Sequence, residues 1–361
     1  MNRTTALSEP GKPMSHRLLT VHTLTALPWH NLNRDENGAP KQVTEGGVTR
    51  ARLSSQSLKR AARVGFERDR EQAEASVRTK VAVQVIVDRV IELRGDIPKA
   101  ELTKLKTAVN TRVKELTHAE GSKSTKETTV WLSAGEVEQV AQSFARSTTG
   151  EPIVTATSTD SLAIAAFGRM FAAAPGLAVA SAVSVGDAVT THAAAIELDW
   201  FTSVDDAETT HSGAAQLGFS SRTTGVYYRS FTIDRAQLAR NWDLDLTSTE
   251  AEEQLRLFVR HLTLALPGGN NAGTAAQTLP AFVFAEEQAH RVAYDFHEPV
   301  TANDGGFLTP SIDALQAKAS GARAFDPTLF GRTFTTGTAA PTPDGHFAEY
   351  TDFVLEYLRA A

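Results

Sequence analysis

Hydrophobic positions near both ends of the chain follow the pattern of β-strands. Residues 16–27, HRLLTVHTLTAL, are rich in Thr, Val and Leu and stop at Pro28, which predicts a first strand. Residues 226–233, VYYRSFTI, predict another, and residues 280–285 a further one. Small and β-branched side chains at 177–191 are also strand-like. Both ends of the chain therefore contribute to a sheet.

The middle of the chain changes to helical spacing. Residues 79–93 and 99–118 repeat apolar side chains at helical intervals. An amphipathic helix is predicted at 250–265, where a Pro-Gly-Gly sequence ends it, and a closing helix at 347–358. Strands around a helical block predict an α+β fold with a helical insertion at about residues 67–160.

Composition places the chain in the soluble globular class. It has 361 residues, of which 41% are hydrophobic and 22% charged, and no apolar run is long enough to span a membrane. The polar residues 1–15 predict a disordered tail without a signal sequence, so we expect a cytoplasmic protein without membrane contact. The sequence contains no cysteine, which excludes disulfides, thiolate zinc sites and a cysteine nucleophile.

Positive charge is concentrated in one segment of an acidic chain. Residues 48–63, VTRARLSSQSLKRAAR, carry five basic residues and no acidic one, whereas the net charge of the protein is −6. Alternation at 48–53 predicts a strand with Arg50 and Arg52 on one side, and Ser54 or Ser55 offers the N-cap of a following helix. One face of that helix carries Gln56, Lys59, Arg60 and Arg63.

A helix N-terminus with free N–H groups beside such cations is suited to an anion, and a polyanion such as nucleic acid is favoured. The alternative is a solvated basic helix with ordinary surface ion pairs. Because the whole chain is acidic, any nucleic-acid contact must be local.

Signals for catalysis are weak. The sequence lacks a Walker A loop, GxGxxG, GxSxG and HExxH, and its ten histidines show no metal-ligand spacing. His22 and His192 lie in strand-like segments. Asp205 and Asp206 suit either a divalent ion or a solvated turn, and the glycine loop at 268–273 suits either an anion nest or a helix end. We therefore expect no cofactor and no metal.

Two aromatic residues lie within an acidic segment, DWFTSVDD at 199–206. The acids would repel phosphate, so Trp200 and Phe201 cannot line a phosphate groove. They pack in a core, form a protein contact, or wedge against bases, for which stacking is worth about 1–3 kcal/mol per base.

Seven longer motifs are spread along the chain. They are NLNRD at 31–35, GGVTRARLSSQSLKR at 46–60, FGRM at 167–170, VTTH at 189–192, DWFTSVDD at 199–206, GVYYR at 225–229 and DGGFLTPSI at 304–312. Together, in this order, they resemble the backbone subunit of type I-E CRISPR surveillance complexes, the CasC family of Cascade.

The resemblance implies an RRM-like, ferredoxin-type palm with an inserted helical finger domain and a thumb loop. The implied boundaries are a disordered tail at 1–15, palm segments at 16–66, 161–195 and 225–361 with a C-terminal helix, fingers at 67–160, and the thumb loop at 196–224.

The resemblance also implies a non-catalytic RNA-binding scaffold. Copies stack head to tail along the spacer part of a CRISPR RNA, beside other Cascade subunits, and present it for pairing with target DNA. The residues implied to hold RNA are Arg34, Lys41, Arg50, Arg52, Ser54, Ser55, Gln56, Lys59, Arg60 and Arg63, with Arg169 and Met170 near a displaced base and Trp200, Phe201 and Thr202 on the thumb.

Two other functions remain open. One is a ferredoxin-like endoribonuclease that processes CRISPR RNA with His22 or His192 as general base. The other is an oligomer that binds protein and makes no RNA contact.

Overall fold

A computed structural model describes residues 16–70, 75–118, 128–203 and 216–360 of a mixed α/β protein. Its strands are β1 (Leu18–His30), β2 (Gln42–Glu45), β3 (Val48–Leu53), β4 (Val77–Thr79), β5 (Val130–Leu132), β6 (Val183–Val185), β7 (Ala188–Thr190), β8 (Ile196–Ser203), β9 (Gln216–Asp234), β10 (Phe282–Gln288) and β11 (Phe330–Thr336). Its helices are α1 (Ser55–Asp69), α2 (Ala82–Arg94), α3 (Lys99–Thr117), α4 (Ala134–Arg146), α5 (Leu162–Phe167), α6 (Arg235–Asn241), α7 (Thr249–Leu264), α8 (Asn271–Thr274), α9 (Leu308–Phe325) and α10 (Phe347–Arg359).

The chain divides into two compact units. Unit 1 contains the described residues of Met1–Ala62, Val185–Ile233 and Val259–Ala360. Unit 2 contains those of Arg63–Ser184 and Asp234–Phe258. No helix in the described part of the chain is long and apolar enough to cross a membrane.

Unit 1 is built on an antiparallel sheet with the strand order β11-β10-β1-β9-β7-β3-β2, in which β8 also pairs with β9. Strand β1 is buried along most of its length, which explains its nearly continuous apolar sequence. It extends beyond the predicted end at Pro28. That proline lies past Leu24, the last residue of β1 that pairs with β10, so its missing N–H costs no hydrogen bond there.

The core of unit 1 lies against this sheet. Leu24, Phe282, Ile312 and Leu315 belong to one buried cluster, in which helix α9 contributes the last two side chains. Helix α10 matches the predicted closing helix, and β9 contains the strand predicted at 226–233. Helix α9 and strand β11 were not predicted, because their patterns are mixed with small and polar residues.

Unit 2 contains the predicted helical block. Helices α2, α3 and α4 enclose a core that includes Ile86, Val109, Val140 and Phe144. Helix α4 begins with a capping box, in which Ser133 and Glu136 satisfy each other's backbone N–H groups. The block also holds a small β4–β5 sheet. Most of the predicted polar link at 121–129 lies outside the described residues.

Candidate nucleic-acid interface

Three predicted cations of unit 1 lie on neighbouring backbone segments. The Lys41 N–H donates to Asn33 O at 2.9 Å, and the Arg52 N–H donates to Lys41 O at 2.8 Å. Arg34 forms a backbone bridge with Pro40. The loop that precedes β2 is therefore fixed against β3, and it brings Arg34, Lys41 and Arg52 together.

Helix α1 starts at the end of β3, directly beside this loop. The Ser54 N–H donates to Asn33 Oδ1 at 2.8 Å, and Ser54 O accepts the Leu58 N–H, so Ser54 precedes the helix as predicted. The Ser54 side chain is buried, and its hydroxyl donates to Ser57 Oγ at 3.2 Å. We conclude that Ser54 shapes the helix start and has little surface for RNA.

The predicted free N–H at this helix start is already bonded. The Ser55 N–H donates to Asp187 Oδ1 at 2.7 Å, while Arg52 Nη1 lies 3.2 Å from Asp187 Oδ2. The prediction of free N–H groups at this helix N-terminus is therefore corrected at Ser55, where a carboxylate of the chain itself takes the position of the external anion.

The first turns of α1 carry the other exposed polar side chains. Leu58 is buried on the inner side, whereas Gln56 and Arg60 are exposed and Lys59 is half-buried. Burial lowers the pKa of Lys59. Among the described residues, no carboxylate pairs with Lys59 or Arg60. We call Arg34, Lys41, Arg52, Gln56, Lys59 and Arg60 the cationic strip.

Arg50 is not part of the cationic strip. Its side chain is fully buried, and its guanidinium donates to the carbonyl oxygens of Glu45, Thr190, Phe296 and His297. Burial lowers the pKa of this guanidinium. This corrects the sequence-based expectation for Arg50, because strand alternation predicts a side of the strand but not what covers it.

Two predicted arginines of unit 2 are held by carboxylates. Arg63 lies 2.8 Å from Glu67 and over the Trp131 ring at 5.4 Å. Arg169 is buried, and it donates to both oxygens of Glu136 at 2.6 and 2.5 Å. These positions correct the expectation that their guanidinium groups face RNA. Met170 beside Arg169 is 80% exposed and is available for a contact.

The predicted thumb loop is a β-hairpin in its described part. Strand β8 pairs with β9 from Ile196 opposite Thr223 to Ser203 opposite Gln216. The expectation of a loop at 196–224 is thus corrected, and residues 204–215 lie outside the described part. The many Gly, Ser and Thr residues of this segment indicated a loop, because they weaken the alternation of apolar and polar side chains that is typical of a strand. We call these paired segments of β8 and β9 the hairpin arm.

One face of the hairpin arm is apolar and open to solvent. Trp200 lies opposite Phe219, with ring centroids 5.5 Å apart. Their exposed fractions are 63% and 61%, and Leu198 and Leu217 are similarly exposed. Of this set, the sequence predictions included only Trp200. Reading QLGFSS at 216–221 as alternating would have found Leu217 and Phe219.

Phe201 lies on the opposite face of the arm. Its ring covers Gly218, where an added Cβ would lie 2.5 Å from the nearest ring atom. On the same face, Arg222 pairs with Asp199 at 2.9 Å and lies over the Trp29 ring at 4.8 Å. Trp200 and Phe201 therefore cannot contact the same group. Thr202 is exposed on the Trp200 face.

The two candidate catalytic histidines are buried. His22 Nδ1 is 2.8 Å from Tyr228 Oη and its Nε2 is 3.3 Å from Glu286 Oε1. His192 Nδ1 donates to Ala193 O, its Nε2 accepts the Val226 N–H, and its ring stacks on Phe307 at 3.7 Å. Burial lowers the pKa of both imidazoles. Both ring nitrogens of each imidazole therefore lie within hydrogen-bond distance of groups of the protein itself.

The structure describes one of the other two candidate ion sites, the glycine loop. The glycine loop contains the short helix α8, and its Gly269 N–H donates to Leu32 O at 3.1 Å. Asp205 and Asp206 lie outside the described part. Elsewhere in that part, no group of three His, Asp or Glu residues is arranged to hold a metal ion.

The fold and this surface define a mixed α/β protein whose sheet unit carries a cationic strip at a helix start and an apolar hairpin arm. Its sequence matches the profile of one family along most of its length, at residues 19–353. The chain belongs to that family, the CT1975-like proteins (Cas_CT1975).

Solved structures show the same fold. One chain of a structure described as "CRISPR RNA-guided surveillance complex, pre-nicking" has a TM-score of 0.74 and 22% identity, covering 94% of this chain and 100% of that one. A chain of a "CRISPR RNA-guided surveillance complex" has a TM-score of 0.65 and 20% identity, covering 94% and 99%. No curated protein sequence matches the chain.

Proposed function

We propose that this protein is a non-catalytic RNA-binding subunit of a CRISPR RNA-guided surveillance complex, of the type I-E backbone (CasC) kind. The observation that carries the proposal is the cationic strip of an acidic protein, in which Lys59 and Arg60 have no ion-pair partner among the described residues. The family membership and the fold likeness to chains of two such complexes support it.

In this proposal the strip holds the sugar-phosphate backbone of the guide. Lys and Arg contacts to phosphates fix position without reading sequence, which any spacer sequence requires. The bases stay available to pair with target DNA, and recognition of the target is left to that pairing. Unit 1 then corresponds to an RRM-like palm, the helices of unit 2 to fingers, and the hairpin arm to the thumb.

The hairpin arm is proposed to contact a neighbouring copy on the same guide. Glu197 and Asp199 make it acidic, and its Arg222 is paired, so the arm does not attract phosphate. Its open apolar face suits bases or an apolar protein surface. Head-to-tail repetition of one heterologous contact gives an open array, whose length the RNA and other Cascade subunits would set. Such a complex would work in the cytoplasm.

The proposal is tested by removing two cations of the strip, with Lys59→Ala and Arg60→Ala combined. We expect weaker binding to single-stranded RNA and a log–log salt slope that is smaller by about 0.7 for each lost phosphate contact. Arg17→Ala with Arg291→Ala is the matched control, because both arginines are exposed in unit 1 outside the strip.

Two results would overturn the proposal. An unchanged affinity and slope in the strip variant would favour the oligomer without RNA contact. Specific cleavage of repeat RNA that is lost in His22→Gln or His192→Gln would favour the endoribonuclease.

A further inference from the structure

One aspartate lies where the cationic strip would receive a phosphate. Asp187 Oδ1 accepts the Ser55 N–H at the start of α1, at 2.7 Å, and its Oδ2 lies 3.2 Å from Arg52 Nη1. Backbone N–H and guanidinium groups are the donors that hold phosphate oxygens at helix N-termini. A carboxylate of the chain itself already binds both donors.

The backbone fixes Asp187 in this position. Residues 177–191 were predicted as one strand, but they form β6 and β7 with a break at Gly186 and Asp187. On one side of Asp187, the Gly186 N–H donates to Ser230 O at 2.9 Å. On its other side, Ala188 pairs with Leu53 of β3. Asp187 is therefore held beside the junction of β3 and α1.

The pair is accessible to an incoming anion. The side chains of Arg52 and Asp187 are each 32% exposed. Arg52 Nε is buried and has no partner in the described residues, so an anion would bind the Arg52 guanidinium through its other nitrogens. The Asp187 carboxylate also offsets the partial positive charge of the α1 N-terminus. A phosphodiester must displace this carboxylate or bind beside it against its charge.

We propose that Asp187 acts as the internal counter-anion of the cationic strip and limits its affinity for RNA phosphates. The inference rests on the proposed function, in which the strip holds RNA phosphates. Because Asp187 competes for Arg52, one isolated phosphate gains little. A strand that also reaches Arg34, Lys41 and Arg60 overcomes the competition through several contacts. Asp187 thereby lowers the affinity of the strip for single-stranded nucleic acid and makes binding depend on several simultaneous contacts.

The test is Asp187→Asn in the full chain. The amide oxygen of asparagine still accepts the Ser55 N–H, so this variant removes the charge and keeps the helix cap. We expect about fivefold tighter binding to a labelled single-stranded RNA of arbitrary sequence at low salt, the effect of one unit charge removed at about 4 Å in water-like surroundings. The log–log salt slope becomes steeper by about 0.7, since one more phosphate contact forms.

Two controls separate this role from a merely structural one. Asp313→Asn makes the same charge change on an exposed position of α9 and should leave binding nearly unchanged. Arg52→Gln combined with Asp187→Asn should lose the gain, because Arg52 is the donor that Asp187 blocks.

The outcomes also distinguish this inference from the proposed function. If the wild-type protein binds RNA through Lys59 and Arg60 but Asp187→Asn binds no more tightly, only the inference is overturned and Asp187 is a helix cap. If neither the wild type nor Asp187→Asn binds RNA, both fail. The inference is supported if Asp187→Asn binds RNA more tightly than the wild type while Asp313→Asn and the double variant with Arg52→Gln do not.

Discussion

Replacing Arg50 separates a structural role from an RNA-binding role. The buried Arg50 guanidinium donates to four carbonyl oxygens, on Glu45, Thr190, Phe296 and His297. Arg50→Met keeps most of the side-chain volume but provides no donor. The variant therefore leaves buried carbonyl groups without that partner.

The size of the effect follows from these contacts. A buried polar group that loses its hydrogen-bond partner costs about 1–3 kcal/mol. Two of the four bonds are long, at 3.3 and 3.4 Å, so we expect the cost of about two lost bonds, about 2–6 kcal/mol in total, rather than four full penalties. Such a loss is a large fraction of the 5–15 kcal/mol typical of domains.

The assay is urea unfolding of the wild type, Arg50→Met and Arg50→Lys, followed by RNA titration of the folded fraction at several salt concentrations. Arg50→Lys should fall between the other two, since an ammonium group has three donors and cannot span the same carbonyls. Folded Arg50→Met should keep the wild-type salt slope. A stability loss under 1 kcal/mol together with a reduced slope would refute the reasoning and return Arg50 to the RNA-binding set.

Two further predictions concern unit 1. His30 is buried, and burial lowers its pKa from the usual value of about 6.5 to about 4. Between these two pH values the unfolded chain binds a proton at His30 and the folded chain does not. Stability should therefore decline as pH falls from about 6.5 towards 4, by up to about 3 kcal/mol, and urea midpoints across this range should show a smaller decline in His30→Gln. On the hairpin arm, Trp200→Ala should weaken assembly of copies on a long RNA more than binding of one copy to a short RNA, as measured by sedimentation and by titration. Equal losses in the two measurements would contradict this, and Phe325→Ala, which removes an exposed aromatic ring of α9 away from the arm, is the control.

The sequence was most informative where one physical signal dominated. Long apolar periodicity predicted α2, α3 and α10, and a dense β-branched and aromatic run predicted the second half of β9. The concentration of charge at 48–63 located the strip, in which Lys59 and Arg60 form no ion pair among the described residues.

Sequence reasoning failed where distant segments decide a residue's environment. Arg50 and Arg52 are two positions apart in one strand. Arg50 is buried and donates to the carbonyl oxygens of residues 296 and 297, whereas the Arg52 side chain stays partly exposed. Glu136, more than thirty residues from Arg169, neutralises that arginine. Asp187 carries no local sequence signal at all, because its role depends on the pairing of β7 with β3.

The sheet of unit 1 ends on one side in β2, a strand of four residues whose side chains alternate between exposed and half-covered. At the other border, Arg332 of β11 is tied by ion pairs to Glu287 and Glu356. Short strands and charged side chains at a border discourage the addition of a foreign strand, which is a common start of aggregation. The assembly proposed above would bring many identical sheets close together, and these borders would then disfavour edge-to-edge pairing between copies.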